Sequence, residues 1–265
     1  MIEFNVNNQY FKLTPYPYHI ETFALFGSYI SEEFDELSDI DMLIIVEDCS
    51  RHRLLNRKQQ LAKALKVPMR WLSVYTKSSF ANMCAHGNYW CWNLKLYAQI
   101  YYSRTDFIYH AFASLNPNVE VLRLMYDDID SIEEEYQDYI DHKVSAEQLM
   151  NLIAHYTRNA CILLCYLHQV IDFKKYSPAK QCYTFRDITM PFTFENYEKL
   201  YQLKRDYKYN SQSFRLRKDG YHYVNWWYQK YHEFSRIVID KANELFQNGF
   251  VSPLISYVDK ERTRN

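Results

Sequence analysis

The hydrophobic pattern of this chain changes near residue 105, and that change limits the folds it can adopt. Before this point, short runs rich in β-branched and aromatic residues alternate with stretches of helical period. The predicted strands are residues 20–26, 41–46, 69–75 and 94–103, and the predicted helices are residues 28–37, 50–66 and about 77–86. Strands that alternate with helices predict an α/β domain.

After residue 105 the apolar residues recur with helical spacing over long stretches. The predicted helices here are residues 118–143, 145–173, 194–207 and 221–247, and the predicted long loop, residues 177–194, contains two prolines. We therefore predict an α+β protein with two domains. A domain with a mixed β-sheet and flanking helices is expected at residues 1–106, and an all-helical bundle at residues 107–265.

Composition excludes several classes of protein. Hydrophobic residues make up 48% of the 265 residues and charged residues 24%, so the chain is expected to fold. The formal net charge of −1 gives no argument for a nucleic acid or a membrane surface as partner. None of the six cysteines forms a C-x-x-C pair, which disfavours a zinc ribbon. With no signal-peptide pattern and no long uncharged run, we predict a cytoplasmic protein with reduced thiols.

One stretch, FGSYISEEFDELSDIDMLIIV at residues 26–46, combines features that suggest phosphate chemistry. Asp39 and Asp41 are two residues apart at the start of a predicted strand, so their side chains share a face. Two neighbouring carboxylates repel each other unless a cation lies between them, and oxygen ligands suit Mg²⁺. Gly27 and Ser28 end one strand and open a predicted helix, where backbone N–H groups can bind phosphate.

The pattern of G-S, ten further residues and D-I-D before an apolar strand resembles the polymerase-β-like nucleotidyltransferases. It is most similar to the small bacterial aminoglycoside and minimal types, which place a helical domain after the catalytic domain. The resemblance implies that Gly27 and Ser28 hold the β- and γ-phosphates of a nucleoside triphosphate, ATP in the first instance. Asp39 and Asp41 would bind one or two Mg²⁺ ions and act as the catalytic pair. An acceptor hydroxyl would attack the α-phosphorus, and pyrophosphate would leave.

The resemblance leaves the acceptor open. One expectation is a small molecule, such as an aminoglycoside-like antibiotic, and another is a protein modified by an AMP-transferring antitoxin or regulator. A third is a nucleotide-binding pseudoenzyme, because the sequence departs from the family pattern in two ways. Residues 67–75 hold no acid, with Arg70 or Ser73 standing roughly where the family carries a third carboxylate. The linker at residues 29–37 contains four acids and no base.

Residues outside the motif supply further candidates. Residues 127–141 contain eight acids and no base, which is typical of a solvated helix face but also suits a cationic acceptor. Within this run, Glu135 or Asp138 is a candidate general base. Arg158 is a candidate contact for the triphosphate. Arg217 and His222 form an R-x4-H pattern that resembles the HEPN ribonucleases and leaves a nuclease as a minor alternative.

Overall fold

The computed structural model describes residues 1–6, 9–30, 39–209 and 220–257. The chain divides into two compact units, Met1–Val119 and Glu120–Asn265. The domain boundary predicted between residues 106 and 107 stays a prediction, and the helix at residues 107–113 packs against a strand and a helix of the first unit. Among the described residues, no helix is both long enough and apolar enough to span a membrane.

The described residues of the first unit form two sheets. Strands β1 (Ile2–Val6) and β2 (Gln9–Leu13) form an antiparallel hairpin. The second sheet contains β3 (Ile20–Phe26), β4 (Asp41–Val46), β5 (Leu72–Thr76) and β6 (Gln99–Ser103), in the order β5-β4-β3-β6. Strand β3 pairs antiparallel with β4 and β6, whereas β4 and β5 are parallel, so the predicted mixed sheet is confirmed.

In the described part of this unit, four α-helices accompany the sheets: α1 (Arg51–Leu65), α2 (Lys77–Ala85), α3 (Tyr89–Tyr97) and α4 (Phe107–Ala113). The first two begin at side-chain caps, because Ser50 accepts a hydrogen bond from the backbone N–H of Arg53 and Thr76 from that of Ser79. The central strands β3 and β4 are almost wholly buried, as the continuous apolar run at residues 41–46 predicted for β4.

The structure corrects three local assignments in the first unit. Residues 94–97 belong to helix α3 and not to a strand, because Asn88 caps the helix by accepting a 2.9 Å hydrogen bond from the N–H of Trp90. Residues 69–71 form a 3₁₀ turn before β5. The hairpin at residues 2–13 was not predicted, although its buried residues alternate as a half-buried strand requires. Of the helix predicted at residues 28–37, residues 31–37 lie outside the described part of the chain.

The described part of the second unit is helical, as predicted. It contains α5 (Val121–Ile140), α6 (Ala146–Leu167), α7 (Ser177–Cys182), α8 (Phe194–Tyr209) and α9 (Gly220–Gln247). Helix α6 packs against the other four and is almost wholly buried over its last eleven residues, which explains its apolar sequence. Helix α7 lies where a long loop was predicted, and it begins with Pro178 in its first turn, where a missing N–H costs nothing.

Candidate active site

The end of strand β3 lies directly beside the start of strand β4. In the antiparallel ladder, Phe26 is opposite Asp41, so Gly27 meets the Asp41 side chain. Gly27 has φ +77°, and a Cβ built on it would lie 2.2 Å from Oδ2 of Asp41. Any other residue here would displace this carboxylate and strain the backbone. Glycine was expected to let a ligand approach the backbone, and the group that approaches it here is the Asp41 carboxylate.

Ser28 lies in a short 3₁₀ turn, Gly27–Tyr29, that follows β3. The turn is closed by a 3.1 Å hydrogen bond from the N–H of Ile30 to the carbonyl oxygen of Gly27. The predicted helix that would present its N-terminal amides to a phosphate continues into residues outside the described part of the chain. Its role as a phosphate seat therefore stays a prediction.

Asp39 is held by the segment that leads into strand β5. Its side chain is only 3% exposed, and its Oδ1 accepts a 2.6 Å hydrogen bond from the indole Nε1 of Trp71. The Nε of Arg70 lies 3.9 Å from the same oxygen, on a side chain that is half exposed. A buried carboxylate needs donors or a cation of this kind, because loss of hydration disfavours its charge.

The sequence placed Arg70 or Ser73 near the position of a third acid, and the two residues lie at different places in the structure. Arg70 contacts Asp39, whereas Ser73 is paired with Leu43 in the parallel ladder of β4 and β5. Trp71 was missed as a contact of the site. The sequence does not indicate this contact, because the chain has 18% aromatic residues and most of its tryptophans are expected to pack in the core.

The two aspartates suit a hard divalent cation. Asp39 is buried and Asp41 half-buried, on either side of the buried Ile40. Carboxylate oxygens are the ligands that Mg²⁺ takes in proteins, with water and phosphate oxygens completing its six positions. Within the described ranges, no group of three or more His, Cys, Asp or Glu side chains could hold a metal ion. The carboxylates of Asp39 and Asp41 are of the kind that such a cation takes, and their role as its ligands stays a prediction.

The other predicted site residues belong to the second compact unit. Arg158 donates to the backbone carbonyls of Phe173 and Lys174 and so ties α6 to the segment after it. Glu135 accepts a hydrogen bond from the Gln148 side chain. Asp138 forms a 2.9 Å ion pair with Lys143. Their roles as phosphate contact and general base stay predictions, and Arg217 of the R-x4-H pattern lies outside the described residues.

One acid of the second unit has an unusual pKa that the sequence did not indicate. Burial raises the pKa of Asp128 to about 7, despite a hydrogen bond with Asn159 that lowers it. In sequence, Asp128 is one of eight acids in a run that otherwise looks solvated. Only the packing of α5 on α6 distinguishes it from its neighbours.

Comparison with known proteins finds a family match for the segment that contains Asp39 and Asp41. Residues 13–80 match the family model of the nucleotidyltransferase domain, and they include Gly27, Ser28, Asp39 and Asp41. No curated protein matches the chain. One solved structure, described as "Crystal structure of the toxin-antitoxin with AMP-PNP", is 18% identical to the chain. That alignment covers 48% of this chain and 88% of the other, with a TM-score of 0.27, too low to support an argument. The family match shows a nucleotidyltransferase domain at residues 13–80, consistent with the polymerase-β-like superfamily that the motif resembles.

Proposed function

We propose that this chain is a Mg²⁺-dependent nucleotidyltransferase that transfers a nucleoside monophosphate, AMP from ATP, to a hydroxyl group. The observation that carries the proposal is the position of Asp41 against the backbone of Gly27, inside the segment that matches the nucleotidyltransferase domain. This contact joins the proposed phosphate-binding turn to the proposed metal ligand. A phosphate held near the turn would lie close to a cation held by the carboxylate.

The chemistry assigns a role to each group. The turn at Gly27 and Ser28 would bind the β- and γ-phosphates, and Asp39 and Asp41 would hold Mg²⁺, which neutralises charge on the phosphates. The acceptor oxygen would then form a bond to the α-phosphorus. The bond from the α-phosphorus to the bridging oxygen would break, and pyrophosphate would leave. The proton of the hydroxyl would pass to a general base, for which Glu135 and Asp138 are the candidates.

The acidic surface of α5 supports a cationic acceptor. Asp130, Glu133 and Glu134 are exposed on this helix, within the run of eight acids at residues 127–141. Charge of one sign on a surface raises the local concentration of ligands of the opposite sign. An aminoglycoside-like antibiotic combines several positive charges with hydroxyl groups, so it meets both requirements. A protein hydroxyl is the other proposed acceptor.

A second candidate function is nucleotide binding without transfer. The observation that favours it is the guanidinium of Arg70, which lies beside Asp39 where a further acid would strengthen metal binding. A cation there reduces the negative potential that attracts a divalent ion. The chain would then bind nucleotide as a regulatory or structural element.

A transfer assay separates these functions. The chain is incubated with ATP labelled at the α-phosphate, Mg²⁺ and either a panel of aminoglycosides or defined protein acceptors. We expect label on an acceptor and release of pyrophosphate. The variant Asp41→Asn should lose transfer, whereas Asp106→Asn serves as a matched control, because Asp106 is exposed and its side chain does not cap α4. ATP binding without transfer to any acceptor would favour the second candidate function.

A further inference from the structure

The surroundings of Asp39 bear on how many cations the proposed site can bind. Trp71 donates to Oδ1 of Asp39 at 2.6 Å, and Nε of Arg70 lies 3.9 Å from that oxygen. Both donors come from the turn Met69–Trp71, immediately before the strand that pairs in parallel with β4. Arg70 and Trp71 therefore place a positive charge and a neutral hydrogen-bond donor beside Asp39, just before this strand begins.

Among the residues that the structure describes, the ligand set is small as well. The described part of the chain offers no group of three or more His, Cys, Asp or Glu side chains around a possible metal. Each Mg²⁺ ion takes six ligands in near-octahedral geometry, so two ions need about twelve ligand positions between them. Two carboxylates, one of which already accepts the Trp71 hydrogen bond, provide few of these positions. The guanidinium of Arg70 adds repulsion against any second cation beside Asp39.

We infer that this site binds one divalent cation with the nucleotide. The positively charged guanidinium of Arg70 takes the place beside Asp39 that a second cation would need. The inference rests on the proposed function, since it concerns the same nucleotide site. Trp71 acts as a positioning residue, because its indole fixes one oxygen of Asp39 and restricts rotation of the carboxylate. Because the Arg70 side chain is half exposed, its charge can be changed by substitution without disturbing the core.

The test counts cations directly. Equilibrium dialysis of the full chain with saturating α,β-methylene-ATP and Mn²⁺ measures how much of each the protein binds, without any need for activity. We expect one nucleotide and one Mn²⁺ for each wild-type chain. Arg70→Lys keeps the charge and should also bind one Mn²⁺. Arg70→Asp replaces the cation by a ligand and should bind two.

A second variant covers the case in which Arg70→Asp does not fold, as judged by circular dichroism. Arg70→Ser removes the charge without adding an acid, and we expect it to bind a second Mn²⁺ at least tenfold more tightly than the wild type does. Two Mn²⁺ ions on the wild type with one nucleotide would overturn the inference and leave the proposed function standing. The same stoichiometry in all folded variants would overturn the role of Arg70. A wild type that binds no nucleotide would defeat the proposed function itself, and the inference with it.

Discussion

A Cβ atom on Gly27 would lie 2.2 Å from Oδ2 of Asp41, so the glycine and the carboxylate form a matched pair across strands β3 and β4. The relationship explains why one of only four glycines in the chain stands at this position. It also joins the turn after β3 to the acid at the start of β4. A change at Gly27 must therefore act on Asp41.

The variant Gly27→Ala tests this relationship. Its φ of +77° costs a non-glycine residue about 1–2 kcal/mol, and the methyl group must also displace the Asp41 carboxylate. Gly249→Ala is a matched control, because Gly249 has φ +78° and a Cβ added there would have nothing within 4 Å. We expect urea unfolding to show a larger loss of stability for Gly27→Ala than for Gly249→Ala. Equal losses would mean that Asp41 moves aside freely.

The indole of Trp71 should stabilise the Asp39 carboxylate in the folded protein. Trp71→Phe keeps an aromatic ring but removes the 2.6 Å donor, at a cost of about 1.5–3 kcal/mol for a hydrogen bond to a charged group. Loss of the donor should therefore lower the free energy of unfolding of the variant. Urea unfolding of the variant and the wild type measures this loss. Equal stability of the two proteins would show that the indole does not stabilise the carboxylate.

A buried glutamate should make the first unit sensitive to acid. Glu21 is fully buried, accepts a 3.0 Å bond from the N–H of Thr105, and is paired with Arg104 at 2.8 Å and Lys77 at 3.6 Å. Burial alone would raise its pKa, but the Thr105 hydrogen bonds and the two cations outweigh burial and lower the pKa below its usual value. Its stabilising effect is therefore present above the unfolded pKa and is lost as pH falls through the folded pKa.

The variant Glu21→Gln should lose about 1.5–3 kcal/mol at pH 7, because a charged hydrogen-bond acceptor is removed. The difference from wild type, measured by urea unfolding, should shrink as the pH falls through the lowered folded pKa of Glu21. Glu3→Gln provides the control, since Glu3 is paired with Lys12 on the surface and should matter little. A loss of stability that is the same at every pH would argue against a role for the charge of Glu21.

Asp128 should have the opposite dependence on pH. Burial raises its pKa to about 7, so between the unfolded value near 4 and pH 7 the folded state holds a proton that the unfolded state releases. Stability therefore falls as pH rises through this window. Asp128→Asn should remove this loss of stability with rising pH. At pH 8 the variant should be more stable than the wild type by at least about 1 kcal/mol. Asp130→Asn, at an exposed position of the same helix, should leave the pH dependence unchanged.

Local hydrophobic patterns predicted much of the fold because they reflect which residues are buried. The continuous apolar run Met42–Val46 and the helical spacing of α6 reflect packing that any fold of these residues must satisfy. The strand predicted at residues 94–97 was wrong for a different reason. Aromatic and apolar residues there favour a strand by propensity, but the cap at Asn88 and burial of Trp92 and Leu94 select a helix.

The position of Asp39 and Asp41 at the start of β4 was also predictable, because their spacing is local. The contacts of Asp39 were not, since Trp71 is 32 residues away and meets it only when β5 pairs with β4. The raised pKa of Asp128 likewise depends on the packing of α5 on α6. Contacts between distant segments leave no mark in a single sequence unless they require an unusual residue, as the Asp41 carboxylate does at Gly27.

The central claim is that Asp39 and Asp41 form a metal-dependent nucleotide site, and calorimetry of ATP binding with and without Mg²⁺ tests it most directly. The wild type should bind ATP more tightly when Mg²⁺ is present. The double variant Asp39→Ala plus Asp41→Ala should lose that dependence on Mg²⁺, while circular dichroism shows that it remains folded. Retained Mg²⁺ dependence in the folded double variant, or no ATP binding by the wild type, would contradict the account.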